Sequence, residues 1–482
     1  MIIIQTKNTK ILYQAYHMAK AFFPGEEVLQ ELTHEQESFV CIQCGDSCFS
    51  IPSPCSKDDA TRQIYHYYST ISGKTLPWGI LTGVRPTKLF YDKLQQGFTT
   101  EDIISDLQNR YVISTEKAEL SVSITQLEHH ILSSIPASKG VSLYIGIPFC
   151  PSICSYCSFA SVSLKEQKFR EDQTGKYELV ERYLDALCDE LSVLSMQQDI
   201  LIHTIYIGGG TPTSLSVEQL HRLLTQICNS VPMQHVMEFT VEAGRPDTIT
   251  LEKLEVLRLF PVTRIAINPQ SMNQITLDRI GRSHSTQQIV EAFTMARSVG
   301  FDSINMDIIA GLPGETVEDF IHTLSAIKEL KPDGLTVHTL AMKRASQLSR
   351  KEQADVYQAS CEEVETMLGH AAILASELLM KPYYLYRQKN IAGNFENVGY
   401  ATVDKVCRYN ILIMEDIQTI LAFGAGAMTK YILPEKILIG DRSTHIIRES
   451  NPRDVYEYIR QIEVIKERKS AGMLQYVHPP NP

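Results

Sequence analysis

Short apolar runs bounded by Gly or Pro recur from residue 141 to about 340, and helical patterns fill the gaps between them. Runs at 142–147, 204–207, 238–241, 264–267, 303–308 and 334–339 are rich in β-branched or apolar residues and predict strands. Apolar positions with helical spacing at 178–194, 217–228, 251–259, 286–299 and 317–330 predict amphipathic helices. Six consecutive β/α units predict a parallel sheet with right-handed crossovers. Such a sheet closes fully with eight units, so six predict an open, partial (β/α)6 TIM-like barrel with room for a large substrate. Its chemistry is expected at the C-terminal ends of the strands.

The flanks have a different texture. Residues 1–137 read as an N-terminal α+β domain of unknown role, with helices at 9–23 and 86–95, a strand pair at 37–44 and 47–51 turning at Gly45-Asp46, and a helical stretch at 111–135. The segment 78–88 carries the only Trp and is either a ligand surface or a capped turn leading into a helix. Residues 136–140 read as a linker, 141–345 as the barrel core, and 346–482 as a C-terminal helical and strand extension. In that extension, 353–380 is mostly helical and 383–390 is strand-like. A strand from residue 419 enters a small-residue turn before Met428, and 454–467 reads as a charged, exposed helix. The fold class expected is α/β with α+β additions at both ends.

Composition narrows the function. Hydrophobic residues make up 44% and charged residues 21% of the 482 residues, as in globular proteins of two or three domains. A net charge of −11 argues against a nucleic-acid or anionic-membrane binder, which needs a positive field. No apolar stretch is as long as a membrane span, and no charged leader precedes a long apolar run at the N-terminus. Eleven cysteines without an export signal imply reduced thiols and a cytoplasmic home.

Three of those cysteines carry the chemistry. Cys150, Cys154 and Cys157 form a C-x3-C-x2-C array just after the first predicted strand. Thiolates so spaced suit a cubane iron–sulfur cluster with one iron left open, whereas zinc would want a fourth nearby ligand, and no Cys or His follows within a dozen residues. A second group, Cys41, Cys44, Cys48 and Cys55, begins with a C-x2-C spacing. Strand alternation puts Cys41 and Cys44 on opposite faces, which predicts buried thiols in a hairpin and no metal site.

The remaining strand ends are polar. The second ends in Gly208-Gly-Gly-Thr-Pro-Thr213, whose glycines let backbone amides approach a ligand. Glu242 and Arg245 lie at the third, Gln270 at the fourth with Arg282 twelve residues on, Asp307 in the fifth, and Ala341 past the sixth. Polar groups on one rim of an apolar sheet are costly unless they bind something. A carboxylate there could bridge the hydroxyls of a ribose, and amides could hold an amino acid's carboxylate.

The cysteine loop from Tyr144, Gly-Gly-Gly-Thr-Pro-Thr, Gln270-Ser271, Gly281-Arg282 and the stretch Asp307 to Gly314 together resemble the radical S-adenosylmethionine enzymes of the oxygen-independent coproporphyrinogen III oxidase family, over residues 142–428. With the 78–88 and 383–390 segments included, the chain is most similar to the HemZ-type coproporphyrinogen dehydrogenases of that family. The resemblance implies that Cys150, Cys154 and Cys157 hold a 4Fe–4S cluster. It implies that Tyr144, Gly209, Glu242 and Met428 bind S-adenosylmethionine. Tyr156, Gly210, Thr211, Gln270, Arg282, Asp307 and Ala341 match a second S-adenosylmethionine site, so one or two molecules are implied. It assigns no catalytic side chain.

The implied reaction converts coproporphyrinogen III propionates to vinyls by removal of hydrogen, carbon dioxide and an electron, forming protoporphyrinogen IX in haem biosynthesis. The implied partners are a porphyrinogen or haem-type tetrapyrrole and an electron donor such as flavodoxin or ferredoxin. The oxidases carry a further Cys two residues after the third ligand, where this chain has Phe159. An aromatic there also occurs in relatives that bind and deliver haem, so a haem chaperone, or a radical haem methyltransferase, is the alternative. Arg245, Arg344, Arg387 and Lys389 are candidate cations for propionates, each otherwise a solvated surface charge, and His338 is one candidate axial ligand for haem, otherwise a structural histidine of the barrel.

Overall fold

The computed structural model describes residues 1–23, 25–32, 38–52, 55–81, 85–136, 140–159, 161–167, 178–196, 200–341, 359–387, 395–439 and 442–477. Arg344 and Lys389 lie outside the described residues.

The chain opens with β1 (Ile2–Thr6), α1 (Thr9–Phe22), β2 (Val28–Leu32), β3 (Ser38–Cys44), β4 (Ser47–Pro52) and α2 (Lys57–Ser72). Its four strands form a sheet in the order β2-β1-β3-β4, and Ile2, Ile4, Val40, Ile42 and Ile51 pack with α1 and α2 in a core of their own. Sequence patterning anticipates the β3–β4 hairpin but not β1 or β2, since β2 is largely exposed and lacks an apolar run. Cys41 and Cys48 lie diagonally across the hairpin with sulfurs 3.9 Å apart.

Three helices follow, α3 (Thr87–Gln95), α4 (Thr100–Tyr111) and α5 (Thr115–Ser133). Phe90, Ile103, Leu107 and Ala118 join the core of the large sheet, not that of the N-terminal one. The joint is polar at its centre. Trp78 Nε1 donates to Glu396 at 2.7 Å, Lys117 pairs with the same carboxylate at 2.9 Å, and the Arg387 guanidinium lies 5.4 Å from the Trp78 ring centre. Of the two readings of the 78–88 segment, Trp78 fits the scaffold one: it is fully buried.

The core then runs β5 (Val141–Ile147), the short pair β6 (Phe149–Cys150) and β7 (Val162–Ser163), α6 (Leu164–Gln167), α7 (Glu178–Leu191), β8 (Ile202–Gly209), α8 (Val217–Ser230), β9 (Glu238–Gly244), α9 (Leu251–Leu259) and β10 (Arg264–Gln270). It continues with α10 (Gln274–Arg279), α11 (Thr286–Ser298), β11 (Ile304–Ala310), α12 (Val317–Leu330), β12 (Gly334–Thr339) and α13 (Cys361–Glu377). Starts of α8, α11 and α12 are fixed by reciprocal capping boxes at Ser216/Gln219, Ser285/Gln288 and Thr316/Asp319.

The last segment supplies β13 (Lys381–Arg387), β14 (Glu396–Ala401), α14 (Arg408–Glu415), β15 (Thr419–Phe423), β16 (Met428–Ile439), β17 (Arg442–Ser450), α15 (Val455–Arg460) and α16 (Ile462–Tyr476). All its strands enter the core sheet, whose order is β13-β14-β12-β11-β10-β9-β8-β5-β15-β16-β17. The six expected parallel strands are present, and β15 adds a seventh beside β5. Among the described residues β13 and β17 do not pair, so the sheet remains open. No helix among the described residues is long and apolar enough to cross a membrane.

The stretch 454–467 differs from its expected form. It breaks at Gln461 into α15 and the start of α16, and it buries Val455, Tyr458 and Ile465. Its charges hid an apolar stripe, and one cation of α16, Lys469, is itself fully buried, 3.2 Å from Glu190. Glu190 also accepts from Gly424 N at 2.8 Å, Asn451 at 2.9 Å and Tyr458 at 2.6 Å, which fixes the turn before Met428. Lys469→Met, by stranding the Glu190 charge, is expected to cost about 3–5 kcal/mol of stability in urea unfolding. Adding Glu190→Gln should recover part of that loss; strictly additive losses would mean that the two groups do not interact.

Candidate functional site

Alternation along the parallel strands builds the site. Ile205 and Ile207, Val241, Ile265 and Ile267, Met306 and Ile308, and Leu335 and Val337 belong to the apolar core. The residues between them face the other way: Tyr206, Thr240 and Glu242, Arg264 and Asn268, Asn305 and Asp307, Thr336 and His338. These line one cavity of about 800 Å3. Every residue that the sequence singles out for cluster or cofactor lines the same cavity, from Tyr144, Cys150, Cys154, Tyr156 and Cys157 through Gly209, Gly210, Thr211 and Glu242 to Gln270, Arg282, Asp307, Ala341 and Met428.

The cysteine loop is pinned by its neighbours. Cys157 N donates to Cys154 O at 3.1 Å, Ser155 N to Ile280 O at 3.0 Å and Thr211 N to Phe149 O at 2.8 Å. Arg245 grips it from just past the end of β9: Nη1 donates to the carbonyl and hydroxyl of Ser152 at 3.0 and 2.8 Å, while Nε and Nη2 hold Asp247 at 3.0 and 2.8 Å. Arg245 is therefore buried and committed to the loop and is not a free cation for a propionate. Arg387 departs from expectation in the same way, buried against Trp78 and donating to Leu81 O at 2.8 Å.

Gly210 lies against the loop so closely that a Cβ would stand 2.6 Å from Phe149 O and 3.0 Å from Cys150 Sγ. Gly209 has φ +107°, a conformation open to Gly and rarely to others. Its amide reaches the Glu242 carboxylate, which also accepts from the Tyr206 hydroxyl. Burial pushes Glu242 up to about 7 against the pull of Tyr206, with the negative Asp307 adding to the rise.

On the neighbouring strand, Gln270 occupies a left-handed backbone conformation, φ +69°, where β10 shifts register. Arg282 donates to Asn268 O at 2.6 Å and to the Tyr156 hydroxyl at 3.0 Å. Asp307 accepts from Asn305 at 2.7 Å and lies 3.7 Å from His338. Burial would raise its carboxyl, but His338 and hydrogen bonds from Thr336 and Asn305 hold it below the ordinary carboxylate range. His338 Nδ1 lies 3.2 Å from the Tyr386 hydroxyl. Both ring nitrogens of the residue expected as an axial ligand thus have neighbours already.

The donor set fits a cluster and a polar cofactor. The three thiols line the cavity beside the glycine cradle, with Thr211 Oγ1 3.5 Å from Cys150 Sγ. Among the described residues no three His, Cys, Asp or Glu side chains are gathered as a single-ion site; thiolates on separate irons of a cubane do not converge on one point. Gln270 Oε1, Asn268 Oδ1 and Arg282 Nε are buried in the cavity wall without partners among the described residues. Buried polar atoms so left are costly until a ligand or water meets them.

Arg85, a cation of the 78–88 segment read as a possible ligand surface, does line the cavity. Sequence reasoning missed Tyr206 and Tyr409, whose rings stack 4.6 Å apart, and Lys430 and Arg448. Period-two polar positions in β8 could have found Tyr206. Nothing local marks the others, which three distant segments bring in.

Residues 144–327 match the family model described as the radical SAM superfamily. The chain is 42% identical over 407 residues to the oxygen-independent coproporphyrinogen-III oxidase-like protein HemZ of Bacillus subtilis, covering 83% of this chain and 77% of HemZ. It is 36% identical over 201 residues to the heme chaperone HemW of Bacillus subtilis, 41% of this chain and 50% of HemW. Among solved structures it is similar in fold to coproporphyrinogen III oxidase (HemN) from Escherichia coli, with a TM-score of 0.52 at 22% identity over 70% of this chain and 73% of that one.

Glu242 gives a pH signature. Its carboxyl is raised from an ordinary 4.5 to about 7, so between those values the folded protein binds more protons than the unfolded chain. Stability from this group is therefore present below pH about 4.5 and lost as pH rises through about 7. Glu242→Gln, which cannot titrate, should gain stability relative to the unaltered apo-protein as pH rises over that window. Denaturation midpoints of the two at several pH values test this, and a constant difference would contradict it.

Proposed function

We propose a function from one premise: the chain belongs to the radical S-adenosylmethionine superfamily, in its group of oxygen-independent coproporphyrinogen-III oxidase-like, HemZ-type proteins. That fold implies a 4Fe–4S cluster and S-adenosylmethionine. On this reading the chain is an oxidoreductase that converts propionate side chains of coproporphyrinogen III to vinyls. The observation that carries it is the single cavity in which a three-cysteine loop, a glycine cradle and a buried carboxylate meet.

Cys150, Cys154 and Cys157 would hold the cluster, leaving one iron open. Glu242, oriented by Tyr206 and the Gly209 amide, would in its carboxylate form accept from ribose hydroxyls of S-adenosylmethionine, with Tyr144 and Met428 beside it. Tyr156, Gly210, Thr211, Gln270, Arg282, Asp307 and Ala341 line the same cavity, and for them the resemblance implies a second molecule of the cofactor. When bound, the reduced cluster and S-adenosylmethionine supply the radical that removes a hydrogen atom from the propionate. The chain's own work is to position both reactants and keep water out. Loss of carbon dioxide and one electron from the substrate then requires an electron acceptor, as the start of turnover requires a donor such as flavodoxin or ferredoxin.

A haem-delivery role is the second reading, supported by the likeness to HemW and by Phe159, which is 66% exposed at the cavity. The reconstituted protein, incubated without oxygen with S-adenosylmethionine, a reductant and coproporphyrinogen III, should yield carbon dioxide and vinyl-bearing product by mass spectrometry. Cofactor cleavage with unchanged porphyrinogen would overturn the oxidase reading. Transfer of haem to an apo-acceptor would favour delivery, and a methylated, ring-opened haem product would favour a methyltransferase.

A further inference from the structure

Beyond the cofactor-binding face, the cavity has a second chemically distinct end. Arg85 from the N-terminal segment, Asp416 after α14, Lys430 on β16 and Arg448 on β17 all line it. Asp416 pairs with both Arg85 and Lys430, and Lys430 also donates to Ile413 O at 2.9 Å. Arg448 has no carboxylate partner among the described residues and is exposed to the cavity. Among the residues that line this end three cations meet one carboxylate, an excess of positive charge at the cavity surface, while the buried Glu415 behind it also faces Arg85 together with Lys88.

That excess is unfavourable as it stands. Lys430 and Arg448 are direct cross-strand partners in the β16–β17 register, and like charges so placed repel. Lys430 is buried as well, which disfavours its charge. An anion between Arg448 and the Arg85–Asp416–Lys430 group would relieve both, and a planar guanidinium suits a carboxylate.

The position gives the end its use. Lys430 is paired with Ile420, which lies beside Ser142 near the start of β5, whereas the cysteine loop follows the end of that strand at Ile147. Five residues of strand separate the two levels, about 16 Å at roughly 3.3 Å per residue. Between them the cavity wall is aromatic, with Tyr144, Tyr206 and Tyr409 stacked in sequence at 6.3 and 4.6 Å. A flat, polycarboxylate ligand lying on those rings could place one carboxylate at the cations while another faces the cluster loop.

We propose that Arg448, with Arg85 and Lys430, is an anchoring subsite for a side-chain carboxylate of the tetrapyrrole that is not undergoing reaction. This rests on the tetrapyrrole reading above and replaces Arg245 and Arg387, which the fold commits elsewhere. The test is a fluorescence titration of coproporphyrin III, the air-stable oxidised form, and of its tetramethyl ester, into the full-length reconstituted protein. The unaltered protein should bind the acid more tightly than the ester, and added salt should narrow the gap. Arg448→Gln should weaken binding of the acid roughly tenfold, the size of one lost charge-assisted contact. Arg448→Lys should restore most of it, and binding of the ester should be equal for all three proteins. Undiminished binding of the acid by Arg448→Gln, in a protein that still prefers acid to ester, overturns the subsite and leaves the tetrapyrrole reading standing. Failure of the unaltered protein to bind either porphyrin overturns both.

Discussion

Polar side chains facing inward from an apolar parallel sheet are the constraint on which the rest of this structure depends. Each must find a partner in a place where water is scarce, because an unpaired buried group costs as much as the contacts around it provide. The protein meets that demand in two ways. Arg264, Asn305 and Thr336 bond to one another or to nearby carbonyls and become scaffold. Gln270, Asn268 and part of Arg282, all lining the cavity, have atoms without partners among the described residues. The division separates what holds the barrel from what is left for a ligand.

The end segments complete the container. The C-terminal strands extend both edges of the sheet, and the Glu190–Lys469 pair ties α16 to α7 through the turn that carries Met428. The N-terminal helices close the other side through the Trp78–Glu396–Lys117 contact. Both joints are buried ionic groups with several hydrogen bonds each. A protein that must exclude water from radical chemistry would gain from joints of fixed geometry.

Much of this is legible in the chain. The six parallel strands follow from apolar runs bounded by Gly or Pro, and the cysteine spacing and glycine run stand out without any partner being known. Residues at the ends of successive strands share a rim because a parallel sheet brings them there, so Glu242, Gln270 and Asp307 could be gathered in advance. What escaped was decided by packing at long range. Arg245 looks like a rim cation until Asp247 and Ser152 are seen to surround it. Arg387 sits in an aromatic stretch that reads as a macrocycle contact, yet its neighbour is Trp78, some three hundred positions away. Strand β15, beside β5, is another pairing that no local pattern specifies.

The central claim is that the loop at Cys150, Cys154 and Cys157 holds a cluster whose open iron receives S-adenosylmethionine in this cavity. Electron paramagnetic resonance of the reconstituted, reduced protein, recorded with and without S-adenosylmethionine, addresses it directly. A 4Fe–4S signal whose g values shift on adding the cofactor is the predicted result. A signal that is the same with and without it, or no 4Fe–4S signal at all, would contradict the account.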